Sequence, residues 1–339
     1  MQKSRRFALW VLLAGLLAIL PALAAEAGKP LVLFDEGHAQ TAGNADWVIN
    51  GGYSDFADVF KAQGCEVRAV KRLHWDAIKD ADILVLPEPN SVYSPEEETA
   101  IVEFVMNGGG LYAIADHDRS DRNGDGIDSV GVLNRFLPRL GLEIDKRYFT
   151  EAPVAGKYHD TPFTTGVKAV GTWGGTTVRC LASTAMAHIT VSTKNGGGAF
   201  IASNIVGTRG GRVIAMGDSS PYDDGTGNPS DKLHDGFNNP GYSHARLAQN
   251  TVKWLLARAP TSPREHLCHL LADAAAPCSP EDEAAQLHQE ETRRTIERLL
   301  TEEPSLREEA RAAVSANPAL AGLVVTLNTM DRFDQLHRP

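Results

Sequence analysis

The stretch Gly110-Leu-Tyr-Ala-Ile-Ala-Asp116-His117-Asp118-Arg-Ser-Asp121-Arg-Asn123-Gly-Asp125-Gly126-Ile-Asp128 runs from a short apolar segment into a loop of five aspartates, a histidine and an asparagine. Such a segment reads as a buried strand of an open α/β sheet, where ligands bind outside the carboxyl ends of the strands. That many carboxylates in one loop repel one another unless a cation or solvent screens them. A cation site is therefore the first expectation.

The surrounding chain alternates strand and helix. Leu31 to Phe34, Glu66 to Val70, Asp82 to Leu86 and Leu111 to Ala115 read as strands, and Arg212 to Met216 as a later one. Ser54 to Gln63 and His244 to Ala257 have helical periodicity. Ser94-Pro95-Glu96-Glu97 is a helix start, with a serine cap, proline in the first turn and acids behind it. This alternation predicts a parallel sheet with helices on both faces. From Tyr148 to Ile205 the texture changes to β-branched residues and glycines, which predicts short, partly antiparallel strands in an insertion or sheet extension. Pro260, Pro263 and Pro277 mark a boundary. The charged stretch 264–339 reads as a helical appendage, with a helix start at Ser279-Pro280-Glu281-Asp282 and breaks at Pro304 and Pro318.

Lys3, Arg5 and Arg6 precede the apolar run Phe7 to Leu20, and Ala22-Leu23-Ala24 follows, so residues 1–24 read as a cleaved secretory signal. The expectation is an exported protein, periplasmic or extracellular, with no membrane span after cleavage. A formal net charge of -10 argues against a nucleic-acid-binding surface. Of the four cysteines, Cys268 and Cys278 are close enough in sequence to staple the start of the tail, while Cys65 and Cys180 read as small buried hydrophobes.

Loops at the carboxyl ends of parallel strands should converge. The first carries Glu36, His38, Asn44 and Asp46; the next Glu88 and Asn90; then Asp116, His117 and Asp118; then Asp218, Ser219, Ser220, Asp223 and Asp224. Asp116, His117, Asp218 and Ser219 are the catalytic candidates. Glu36, His38, Asn44, Asp46, Glu88, Asp223 and Asp224 are the substrate-binding ones. His38, Asp116 and Asp118 suit a divalent ion of unspecified identity, which would lower the pKa of a bound water; the bland reading is a hydrogen-bonded polar cluster. Asp121, Asn123 and Asp125, with Asp128, match the first positions of a calcium loop, although the twelfth position is Val132. An Asp/Asn/Gly turn explains the same composition. Tyr222 to Asn228, with His234 and Asp235 beyond, reads as a glycine-bearing lid or a solvated loop. Trp47, Tyr53, Tyr222, Phe237 and Tyr242 would stack on sugar rings or simply pack.

Phe34-Asp-Glu-Gly-His38-Ala-Gln40 with Asn44-Ala-Asp46-Trp47, Gly51-Gly-Tyr-Ser-Asp55-Phe56, the 111–128 segment and Gly217-Asp218-Ser219-Ser220-Pro221 resemble the class I glutamine amidotransferase-like superfamily. The resemblance is to a secreted branch related to the amidotransferase-like domains of intraflagellar-transport and gliding proteins. It spans roughly residues 30 to 258 and implies a flavodoxin-like three-layer sandwich with a mainly parallel sheet. It also implies what is missing. The elbow that would read Gly-x-Cys-x-Gly reads Ala115-Asp116-His117-Asp118, and Asp218-Ser219-Ser220 replaces the histidine-x-glutamate pair, so a cysteine glutaminase is excluded. Two functions remain. One is an exported divalent-metal-dependent hydrolase of a polar ester, phosphate or glycan. The other is a non-catalytic module of an envelope assembly, binding a ligand or docking a protein partner through the tail.

Overall fold

The computed structural model describes residues 28–227, 236–257 and 262–336. The signal segment 1–24 and the lid residues Asn228, His234 and Asp235 lie outside them.

Apolar runs build the centre of the sheet: β1 (Leu31–Asp35), β2 (Glu66–Val70), β3 (Ile83–Pro87), β4 (Gly110–Ile114) and, much later in sequence, β12 (Gly211–Met216). They pair in parallel in the order β2-β1-β3-β4-β12. Alternate side chains face opposite ways along a strand. Phe34, Val85, Tyr112 and Ile214 accordingly meet Phe56 and Phe60 of α1 (Ser54–Ala62) and Leu247 and Val252 of α5 (His244–Leu256). Leu33, Leu84, Leu111 and Val213 face α2 (Trp75–Ile78), α3 (Pro95–Met106) and α4 (Ser129–Leu133), through Ile78, Ile101, Val105 and Leu133. Burying each such side chain contributes about 1.5–3 kcal/mol. Ser94 and Glu97 form a reciprocal capping box at the start of α3.

The expectation of a mainly parallel sheet is corrected. The sheet has ten strands and is mixed. Between β4 and β12 lie β5 (Leu142–Ile144), β6 (Phe149–Glu151), β7 (Gly156–Tyr158), β8 (Thr172–Gly175), β9 (Val178–Cys180), β10 (Met186–Val191) and β11 (Ala199–Val206). β11, β10 and β7 extend the sheet antiparallel beyond β12, and β9 joins β11 and β5. The sequence texture located these strands, but pairing depends on contacts far apart in the chain. β6 and β8 form a separate two-stranded ribbon.

The tail forms α6 (Pro263–Ala275), α7 (Glu283–Glu302), α8 (Arg307–Ala316) and α9 (Leu323–Leu336) around its own core of Leu267, Ile296, Leu299 and Leu323. The helix expected from Ser279 starts instead at Glu283, where the Asp282 side chain accepts from the Ala285 N–H. Asp282 forks onto Arg179 at 2.6 and 2.9 Å, Arg139 meets Glu291 at 3.1 Å, and Asp273 accepts the Ser183 N–H at 2.7 Å. Among the described residues no helix is long and apolar enough to cross a membrane. All four thiols are free, and Cys180, expected to be buried, is exposed at the end of β9.

Candidate active site

β1, β3, β4 and β12 all end on one edge of the sheet, so Glu36, Glu88, Asp116 and Asp218 emerge side by side. Arg122, from the loop after β4, gathers two of them. Its guanidinium forks onto Glu88, with the Nε–Oε1 contact the shortest, and reaches Asp116 Oδ2 at 2.7 Å and Asn44 Oδ1 at 2.6 Å. Its backbone N–H donates to Asn90 Oδ1 at 3.1 Å. The hydroxyl of Ser219 donates to Glu88 Oε2 at 2.5 Å. Glu88, Asn90 and Ser219 are completely buried and Asp116 is 4% exposed. Burial pushes the Asp116 carboxyl well above the usual carboxylate range; the charges of Glu88 and then Asp218 push it further, against the opposing pull of Arg122. The guanidinium also lies 5.5 Å from the Trp47 ring centre, and the buried Trp47 Nε1 has no hydrogen-bond partner among the described residues.

Three non-glycine residues among the described ones have positive φ: Ala39 at +65 in the loop after β1, Glu88 at +43 after β3 and Arg119 at +68 in the loop after β4. Asp116 is not among them. A non-glycine residue in the left-handed region is held there by its surroundings, at a cost of about 1–3 kcal/mol. At Glu88 the Arg122 fork and the Ser219 hydroxyl do the holding.

His38 belongs to a different network. Its Nδ1 lies 2.9 and 3.0 Å from the two oxygens of Asp35 and its Nε2 3.5 Å from Glu97. Asp35 also accepts from Gln40 at 2.9 Å and Tyr93 at 2.8 Å. Burial opposes a charge on His38, but hydrogen bonding and attraction from Asp35, then Glu97, outweigh it and raise its pKa. Its carbonyl accepts the Asn90 N–H at 2.8 Å, so the network fastens the loop after β1 to the loop after β3.

Asp218 is completely buried and accepts from Thr172 Oγ1 at 2.5 Å, Trp173 N at 2.9 Å and Ser220 N at 2.8 Å. It ties the β6–β8 ribbon to the sheet edge. His117 is half-buried; its backbone N–H donates to Asp116 Oδ1 at 2.7 Å and its Nδ1 lies 2.7 Å from the Asp118 carbonyl. A carbonyl only accepts, so Nδ1 carries the proton and Nε2 of the neutral ring is left as an acceptor.

The other expected residues are placed as follows. Glu36 accepts the Ile49 N–H at 2.9 Å. The Asp46 backbone carbonyl accepts from Gly52 at 2.7 Å, and its carboxylate lies against Gly51, where a Cβ would come within 2.5 Å. Asp223 is completely buried and accepts the Gly225 N–H at 2.9 Å. Asp224 takes Ser54 Oγ at 2.6 Å and Asp55 N at 2.9 Å, so it caps α1 and fastens the expected lid over its described part. Asp118 pairs with Arg119 at 3.3 Å. In the expected calcium turn, Asp121 accepts the N–H groups of Gly124, Asp125 and Gly126, Asn123 accepts that of Asp125, and Asp125 accepts that of Ile127. Asp128 caps α4 through the Gly131 N–H at 2.8 Å. Among the described residues no three His, Cys, Asp or Glu side chains are gathered as one metal ion requires. Beside Asp116 the positive charge present is that of Arg122. Trp47, Tyr53 and Tyr222 are core residues, at 2%, 0% and 0% exposure, rather than rim aromatics.

Arg122 was missed because it sits between Asp121 and Asn123, where the spacing reads as a calcium loop. The signal was available: two arginines, Arg119 and Arg122, lie inside a run of five aspartates and are candidate counter-ions. Asp35, Tyr93 and Glu97 were missed because each lies inside or beside a regular element and looks structural.

A family model described as a domain of unknown function, DUF4350, matches residues 45–222. The chain belongs to this family. No curated protein matches it. Among solved structures, the fold is similar to that of the mmIFT52 N-terminal domain, at 11% identity and a TM-score of 0.53, over 67% of this chain and 97% of that one. Weaker likenesses are to the exo-beta-1,4-mannosidase Op5Man5 from Opitutaceae bacterium strain TAV5 (TM-score 0.40, 12% identity, 68% of this chain and 36% of that one) and to a ThuA-like protein from Parabacteroides merdae (TM-score 0.43, 10% identity, 69% and 91%).

Proposed function

We propose that this member of the DUF4350 family is an exported hydrolase of a polar substrate, on an amidotransferase-like scaffold, working with Asp116 as general acid and His117 as general base. The supporting observation is Asp116 itself: a carboxyl at the carboxyl end of a central strand whose pKa is raised by burial and by two acidic neighbours. A carboxyl whose pKa is raised in this way holds its proton more firmly and suits the role of general acid. His117, with Nδ1–H given to the Asp118 carbonyl, offers Nε2 as the base. Water adds to the electrophilic centre and loses its proton to Nε2, while Asp116 gives its proton to the leaving oxygen. Arg122 supplies the fixed positive charge that the sequence assigned to a metal, and Ser219 holds Glu88 against it. Because Arg122 covers Asp116, its loop must swing aside to admit substrate. The alternative of a docking module is not favoured, since the tail's Asp282 and Glu291 are engaged with Arg179 of β9 and with Arg139 in the turn before β5.

The test is turnover of ester, phosphate and glycoside chromogens by the purified chain without its signal. Asp116→Asn and His117→Gln should each lower kcat/KM by about 10²–10⁴ with the fold retained by circular dichroism. Activity unaffected by either change would sink the reading. A stoichiometric divalent ion that is lost in Asp116→Ala would replace it with the metal-assisted mechanism.

A further inference from the structure

We propose that the ligand of this site is a neutral carbohydrate, one of whose pyranose faces stacks on a rim formed by Tyr148, His117 and Trp173. This rests on the hydrolase reading for the site's location, not for its chemistry.

The rim is built from residues that the catalytic reading does not use as aromatics. Tyr148 is 64% exposed, unusual for so large an aromatic side chain. It stands edge-on to His117, with ring centres 4.7 Å apart at 84°. Gly174 lies beneath both. Its φ is +105, and a Cβ there would come within 2.9 Å of His117 Cδ2 and 3.7 Å of Tyr148 Cε2. A side chain at 174 would therefore push the His117 ring away and pack against that of Tyr148. The next residue back, Trp173, is fastened by its N–H to Asp218, and its ring stands edge-on to Tyr242 at 5.5 Å and 88°. Tyr242 in turn stacks on His244 at 5.2 Å and 10°. Aromatic groups already held in place lose little entropy when a ligand stacks on them.

Charge selects among polar ligands. Behind the rim Asp116 and Glu88 share one partly buried cation, Arg122, and Asp218 is buried at the same strand edge. The nearby Arg119 and Arg147 are paired with Asp118 at 3.3 Å and Asp145 at 3.8 Å. The whole chain carries -10. That field repels phosphates, sulfates and carboxylates. A neutral sugar meets both conditions: its C–H face suits an aromatic ring, and it carries no charge for the acidic surroundings to repel.

Binding can be measured in the Asp116→Asn background, so that turnover is irrelevant, by calorimetry with maltose, cellobiose, mannobiose and diacetylchitobiose, and with glucose 6-phosphate as the anionic probe. At least one neutral disaccharide should bind, more tightly than the phosphosugar. Tyr148→Ala should weaken that binding about tenfold, the worth of one aromatic contact, while Tyr148→Phe should retain it. Trp173→Ala should weaken it similarly. The proposal is overturned if no neutral disaccharide binds up to its solubility limit, if the phosphosugar binds more tightly, or if Tyr148→Ala leaves binding unchanged. None of those results would bear on ester hydrolysis through Asp116, so the two readings fail separately.

Discussion

Two buried polar networks lie side by side at the same sheet edge, and they are built to different ends. In the first, Asp35 accepts from His38, Gln40, Tyr93 and the Gly37 N–H, while Glu97 receives the Leu73 and Ser94 N–H groups. The cation is a histidine with its pKa raised. In the second, the cation is an arginine that cannot release its proton, so it is a carboxyl, Asp116, that changes charge. The second also contains the strained Glu88 and borders the unpartnered Trp47 Nε1 and Ser120 Oγ. Both networks displace a pKa, and the first also has a non-glycine residue at positive φ, Ala39 at +65; the orphaned groups beside the second are what mark it as the place where function is expected.

That contrast predicts unequal costs. Asp35→Ala removes the acceptor of four donors and leaves His38 without its closest counter-charge. It should cost about 3–5 kcal/mol, measured by urea unfolding. Arg122→Gln should cost less, about 1–3 kcal/mol, because Asp116 can take up a proton in response, its pKa rising once the lowering charge is gone. If Arg122→Gln proved as destabilising as Asp35→Ala, the second network would be scaffold as well.

The histidines sharpen the comparison through pH. The raised pKa of His38 means its contribution is fully present below the unfolded histidine value and is lost as pH rises through the folded one. His188 has the opposite sign. It lies between Thr161 Oγ1 at 2.9 Å and Ser203 Oγ at 2.8 Å, stacked on Phe163 at 3.6 Å. Burial, then repulsion from His159, pushes it down to about 3. Its contribution is present above the unfolded value and fades as pH falls from there towards about 3. Melting temperature against pH should therefore lose part of its alkaline limb in His38→Gln and part of its acid limb in His188→Gln. Identical profiles for the two variants would refute the assignment of opposite signs.

The parallel half of the fold was legible because it is written locally. Ile83–Pro87 and Gly110–Ile114 are apolar runs closed by proline or a polar loop, and Ser94 to Glu97 spells out its own cap. The antiparallel half was legible only as short strands extending the sheet, not in its pairing, since Ala199–Val206 chooses among β9, β10 and β12 only in three dimensions. The same divide holds in the site. Asp116, Glu88 and Ser219 converge because strand ends must, so their loops could be named in advance. Asp224 could not be recognised as the cap of α1, which begins 170 residues earlier at Ser54. Nothing local shows that Tyr93, 58 residues from Asp35, closes the network around His38.

The smallest expected effect comes from a third ionic cluster, at the tail. Asp282 lies between Arg179 and the first turn of α7, and is held down to about 2 by hydrogen bonding to Arg179 and then by the Ala285 N–H. Its stabilisation is present above the unfolded aspartate value and is lost as pH falls through about 2. The side chains are 39% and 28% exposed, so solvent screens the pair. Asp282→Asn keeps an oxygen to cap α7 and removes only the charge. It should cost no more than about 1 kcal/mol, visible as faster amide exchange in α7 and hardly at all in melting temperature. Asp282→Ala, which removes the cap as well, should cost about 1 kcal/mol more. A loss in Asp282→Asn comparable to that in Asp35→Ala would mean that the tail and the sheet form one cooperative unit, with this pair acting as a buried bond rather than as a surface one.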